Sequence, residues 1–377
     1  RSEFLPSLTI TGSQTSTETS NIKEQSGAKS GDTNRNTEST KISVDQKIFQ
    51  GFQGYNNFKK SRLEFEKATN EYLQIEQDTI LNSVSSYYDL IFKNKSRGFN
   101  LANVSLFERQ VESDRSRLQK GEISLTDLAQ SESSLAGAQA NFIKADTEYV
   151  SAITEFERIN RLSAPTNLND NFGIQFIMPQ SLKEALELSS LNNPSLAIAR
   201  INLAISEKEL SVEKAKLSPS ATLNYSKTEN KDLSSTIDED EQETVKATIS
   251  WPIIQGGKNF SSIKKFKHKK EKNSLLLEDK KNEIKTQTAN SWSFFQSAES
   301  VLVSTAAQLK AAEIANEGIT LEYDSGNTRT TLEVIQSRSL LLEARISHAK
   351  AKKELIVSKL QLLSQVGGLN LKAFKTP

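Results

Sequence analysis

The chain has 377 residues, of which 7 are proline, 15 glycine and one methionine, against an abundance of Ala, Leu, Ser, Lys, Glu and Gln. So few breakers among good helix formers mean few, long elements rather than several ordinary globules. Lys and Arg number 48 against 47 Asp and Glu, a formal charge of +1, so no global field draws the chain to nucleic acid; the lack of cysteine excludes disulfides, thiolate nucleophiles and Cys-ligated zinc.

No run approaches the roughly 18 apolar residues of a spanning helix, so any membrane crossing falls to β-strands in a closed barrel. Near the start, Leu8 and Ile10 alternate with Ser7, Thr9 and Thr11, and Ile42, Val44 and Ile48 alternate with Lys41, Ser43, Asp45 and Lys47. That is the period of strands with one apolar and one polar face. A polar, low-complexity loop, residues 13–40, joins them. After the corner Ile48-Phe49-Gln50-Gly51, residues 55–119 contain no proline and only Gly98, which predicts a helix on the order of 95 Å long. Gly121 ends it. The return segment places Leu128, Leu135, Ala138, Phe142, Ala145, Tyr149, Ala152, Phe156 and Ile159 on a heptad seam.

The second half repeats the first. Ile253-Ile254-Gln255-Gly256, Lys264-Lys265 and Gly326 match Ile48-Phe49-Gln50-Gly51, Lys59-Lys60 and Gly121 at an offset of 205, and Gln336-Ser337, Leu341 and Ala344 match Gln130-Ser131, Leu135 and Ala138 at 206. Ala221, Leu223 and Tyr225, then Val245, Ala247, Ile249 and Trp251, form the second strand pair, joined by a loop at 227–243 with the acidic run Asp238-Glu239-Asp240-Glu241. Val334, Leu341, Ala344, Ala351, Leu355 and Leu362 form a weaker seam interrupted by His348 and Gln365. We therefore divide the chain into a first repeat (1–165), a linker (166–180), a second repeat (181–370) and a tail (371–377). The helical piece at 181–216 has no counterpart after Arg1, so its equivalent, about forty residues, and any signal peptide are expected to precede this sequence. The alternation alone fits a membrane barrel or a soluble sandwich, and four strands cannot close a conducting barrel without other chains.

This order of motifs resembles the TolC family of outer-membrane efflux and secretion proteins over nearly the whole chain. The resemblance rests on Pro6-Ser7 and Pro219-Ser220, on Ile48-Phe49-Gln50-Gly51 and Pro252-Ile253-Ile254-Gln255-Gly256-Gly257, and on the tips at 121–127 and 323–334. It implies a mainly α fold with a small β part: a homotrimer whose strands make a twelve-stranded outer-membrane barrel, continued by an α-helical tunnel into the periplasm of a Gram-negative bacterium. It further implies a passive exit duct for a tripartite efflux pump or type I secretion system. The partners would be an inner-membrane transporter, a periplasmic adaptor (membrane fusion) protein and outer-membrane lipid, with no nucleic acid.

At the tips the resemblance makes Thr126 and Asp127 acceptors in a gate latch, with Tyr323 and Arg329 as donors. Glu333 would face the pore constriction, where Gln336 stands in place of a second acidic ring, and Gly121 and Gly326 would mark the adaptor-docking tips. No catalytic residue, cofactor or metal ligand is implied: His268 and His348 lack ligand spacing, and no nucleophile is paired with a base. The carboxylates also admit a simpler role, because Ser124-x-x-Asp127 and Thr330-x-x-Glu333 have capping-box spacing. The lysine run from Lys264 to Lys272 reads as a solvated helix face or as an interfacial contact with lipid phosphate. A soluble coiled-coil scaffold and a periplasmic adaptor are the competing functions.

Overall fold

The computed structural model describes residues 2–20, 27, 33–169, 177–234, 237–325 and 329–371. After a short 3-10 turn come β1 (Ser7–Thr19), β2 (Thr33–Gln50), α1 (Gln53–Gln119) and α2 (Leu125–Asn160). The second half adds α3 (Leu182–Asn192) and α4 (Pro194–Ala215), then β3 (Ser220–Ser234), β4 (Ile237–Ser250), α5 (Lys258–Asp324) and α6 (Thr331–Gln365). The duplication is plain in α1 and α5, each 67 residues and so about 100 Å long at 1.5 Å per residue. Two compact units result, Arg1–Thr69 with Ile198–Glu278, and Asn70–Ala197 with Asp279–Pro377, each drawing on both halves of the chain.

The first unit is built on one antiparallel four-stranded sheet in the order β1-β2-β3-β4. Its register aligns Leu8, Val44, Tyr225 and Val245 across all strands, while the adjoining row sets Asp45 beside Asn224 and Lys246. Asn224 Nδ2 donates to Asp45 Oδ1 at 2.7 Å. Alternation thus gives the sheet one apolar and one polar face, as expected from the sequence. Where strand meets helix, Gly51 has φ +55°, and a Cβ there would come within 2.3 Å of Ser218 Cβ and 2.6 Å of the Ala215 carbonyl oxygen. The corner therefore requires glycine.

The strands run further than the alternation suggested. The ladder between β1 and β2 extends to Thr19 and Thr33, and Asp238–Glu241 lies in β4 rather than in a loop, with Glu239, Asp240 and Glu241 opposite Lys231, Asn230 and Glu229. Lys227 bridges Glu229 and Glu241. These outer stretches are held by ladder hydrogen bonds and are polar on both faces, so they carry no period to read.

The second unit packs its helices along the expected seams. Leu128, Ala138, Ala145, Ala152 and Phe156 are buried on α2, as are Val334, Leu341, Ala344, Ala351 and Leu362 on α6. Its largest apolar cluster joins Ile80 of α1, Ala185 of α3, Trp292 and Phe295 of α5, and Leu360, Leu362 and Leu363 of α6. Asn193 ties the short helices to this cluster: its Nδ2 donates to the Gln365 carbonyl at 2.9 Å, and its Oδ1 accepts from the Leu196 amide at 3.1 Å. Those two bonds satisfy orphan groups at the ends of α6 and α4.

Candidate functional site

The ends of the helical hairpins concentrate the polar chemistry. Just past the end of α1 the chain turns at Gly121, φ +74°, where the Gly121 amide bonds the Leu118 carbonyl at 2.9 Å and the Glu122 amide reaches back to Arg117 at 2.9 Å. This reverse wrap uses the left-handed glycine that helix ends favour. Gly326, the counterpart tip, lies outside the described residues.

Both return helices open with a reciprocal cap. The Asp127 amide donates to Ser124 Oγ at 3.2 Å, while the Ser124 amide and hydroxyl donate to Asp127 Oδ2 at 3.0 and 2.7 Å. These bonds hold the Asp127 carboxyl below its usual pKa. On α6 the Thr330 amide and hydroxyl donate to Glu333 at 2.8 and 3.0 Å, and Arg329 Nη1 reaches the same carboxylate at 2.9 Å while its Nε bonds Glu322 at 2.6 Å. The Thr330 amide, then Arg329, keep the Glu333 pKa low; Glu322, then Glu333, raise that of Arg329. The capping reading of both carboxylates is therefore realised.

Tyr323 behaves differently. Its side chain is buried, and its hydroxyl donates to Asp114 Oδ1 at 2.8 Å and lies 3.1 Å from Thr331 Oγ1. Asp114, wholly buried on α1, also accepts from Gln110 Nε2 at 2.9 Å and from Ser131 Oγ of α2 at 2.5 Å. One carboxylate thus collects donors from three helices, α1, α2 and α5. Above the phenol ring sits the Arg117 guanidinium, 4.5 Å from its centroid. Burial first, and then Asp114, raise the Tyr323 pKa, so the phenol stays a donor. Nearby, Arg338 of α6 donates to the Leu106 carbonyl of α1 at 3.2 Å.

Among the described residues no hydrogen bond within the chain joins Asp127 to Tyr323 or Arg329; each of the three is bonded instead to the partners just named. Thr126 is exposed on the first turn of α2. Glu333 and Gln336 line a groove of about 430 Å³ with Ala311, Ala315, Ile319 and Leu340 of the α5–α6 hairpin. The role of Asp114 went unread in the sequence, although a signal existed. Val104, Phe107 and Val111 are buried at seam spacing, and Asp114 occupies the next seam position, facing Ser131, which fills the gap between Leu128 and Leu135. A polar residue on an apolar seam marks a specific pairing.

Residues 1–159 and 185–368 match the outer membrane efflux protein family. The chain belongs to that family. The outer membrane efflux protein BepC of Brucella suis biovar 1 (strain 1330) is 23% identical over 336 residues, covering 88% of this chain and 73% of that protein. TolC of Escherichia coli (strain K12) is 22% identical over 310 residues, 78% of this chain and 62% of that one. Among solved structures, the Campylobacter jejuni CmeC outer membrane channel superposes with a TM-score of 0.82 at 14% identity, covering 97% of this chain and 78% of that one, and shares its fold. This outer membrane efflux protein is thus a TolC-type exit duct of the outer membrane, extending into the periplasm.

Proposed function

We propose that three copies of this efflux protein form the duct, each contributing one four-stranded sheet to a twelve-stranded barrel. The observation that carries this is the state of the sheet. Its outer strands β1 and β4 each pair on one side only, and Leu8, Ile10, Val245 and Ile249 leave its apolar face exposed. Unpaired edges and an open apolar face are satisfied together when copies close a barrel in lipid. In this reading the two repeats, 1–165 and 181–370, supply equivalent halves of each subunit's wall.

The duct works passively, without catalysis, and takes its cargo from an inner-membrane transporter through a periplasmic adaptor that docks at the tips around Gly121 and Gly326. Closure is held at those tips. Asp114 with Tyr323 ties the two hairpins within a subunit, while Thr126, Asp127 and Arg329 exchange their local partners for those of a neighbouring subunit, and Glu333 with Gln336 forms the narrowest ring. Native mass measurement of the full-length, detergent-extracted protein tests the assembly: three copies are expected, and a stable monomer with paired strand edges would refute it.

A further inference from the structure

We propose that the first turns of α1 and α5 carry a duplicated anchor for acidic phospholipid headgroups, Tyr55 with Lys59 and Phe260 with Lys264. The inference rests on the outer-membrane placement of the chain. Both pairs have an aromatic residue followed by lysine four positions on, and both recur at the offset of 205 that relates the two repeats. Four residues apart, ring and ammonium share one helix face. Both rings are exposed, Tyr55 at 50% and Phe260 at 71%, and Lys59 Nζ stands 5.4 Å from the Tyr55 ring centroid.

The surroundings define the level of a membrane surface. At the strand-to-helix corners Phe52, Trp251 and Ile254 are exposed as well. Aromatic side chains settle where hydrocarbon meets headgroups. One helical turn carries each lysine about 6 Å beyond its ring, which matches the roughly 5–8 Å depth of a headgroup layer. An ammonium on a flexible apolar stem reaches phosphate from there.

In-chain pairing sets these two lysines apart from several of their neighbours, though not from Lys265. Further along α5, Lys269 and Lys270 are matched by Glu209 and Glu207, and Lys267 lies near Glu271. Lys60, next to Lys59, pairs with Glu64. Among the described residues Lys59 and Lys264 have no carboxylate within ion-pair distance. Both equivalent positions of the repeat thus keep a positive charge that the protein does not neutralise, beside an exposed ring. This fits an anionic headgroup better than a solvated face, for which the aromatic rings would have no use.

The test uses the full-length protein reconstituted into nanodiscs of equal phosphatidylglycerol and phosphatidylcholine, extracted mildly, with the retained lipid quantified. Enrichment of phosphatidylglycerol is expected for the parent, falling roughly fivefold per lysine in Lys59→Gln/Lys264→Gln and unchanged in the control Lys269→Gln/Lys270→Gln. No enrichment in the parent, or equal loss in both variants, would overturn the anchor. Acetylation in lipid-free detergent is the second arm: both lysines should react freely, and protection there would mean that a neighbouring subunit covers this face, which also overturns it. Flotation of the parent with pure phosphatidylcholine vesicles, scored separately, shows whether membrane placement itself has failed.

Discussion

The Tyr323 hydroxyl meets Asp114 at 2.8 Å across 209 residues of sequence, and both side chains are almost wholly removed from solvent. A hydrogen bond to a buried carboxylate contributes about 1.5–3 kcal/mol, and losing one partner exposes the other to a desolvation penalty. Tyr323→Phe is therefore expected to lower the melting temperature by several degrees and to raise conductance in planar bilayers. Asp114→Ala should do more, since it also orphans Ser131 and Gln110. A double-mutant cycle on the two positions should show strong coupling, and additive effects would mean that the contact does not hold the hairpins together.

The Ser124–Asp127 cap makes a pH-dependent prediction of opposite scope. Its bonds lower the Asp127 pKa in the folded chain, so the stabilisation is complete above the unfolded carboxylate value of about 3.9. It is lost as pH falls through the lower folded value. Ser124→Ala is expected to cost about 1 kcal/mol locally. Hydrogen exchange should report faster opening of the first turn of α2 with little change at Asp114.

Arg329 clamps Glu322 and Glu333 together. Arg329→Ser removes the cation shared by the two carboxylates, leaving Glu333 in its Thr330 cap, and Gln336→Asp adds charge one turn further along the same groove. Each change is expected to increase block of single-channel current by multivalent cations, and the pair should exceed either alone. Unchanged block would place these side chains away from the conducting path.

The two faces of β4 should respond unequally to charge. Ile249 is 80% exposed on the apolar face, and Thr248 occupies the opposite one. Ile249→Arg is expected to reduce the amount of protein recovered in outer membranes, at a cost of up to about 2–4 kcal/mol depending on depth. Thr248→Arg should leave recovery near that of the parent. Equal recovery of the two variants would contradict lipid contact on that face.

Much of the architecture follows from local signals in the chain. Strand alternation at Leu8–Ile10 and Val245–Ile249, proline-free runs for α1 and α5, and the Ala-rich seam of α2 are periodic, and periodicity survives without knowledge of partners. Capping at Asp127 and Glu333 was legible for the same reason, because a capping box spans only four residues. What lay beyond the sequence was the choice among distant partners. Asp114 could not be matched to Tyr323 and Ser131, nor Lys269 and Lys270 distinguished from Lys264, until helices remote in sequence were packed side by side. The doubly polar strand ends around Asp238–Glu241 likewise took form only through their ladder to β3. Period and propensity belong to a segment, whereas the partner of a buried carboxylate or an exposed lysine is decided by which surfaces the fold brings within about 3–4 Å of it.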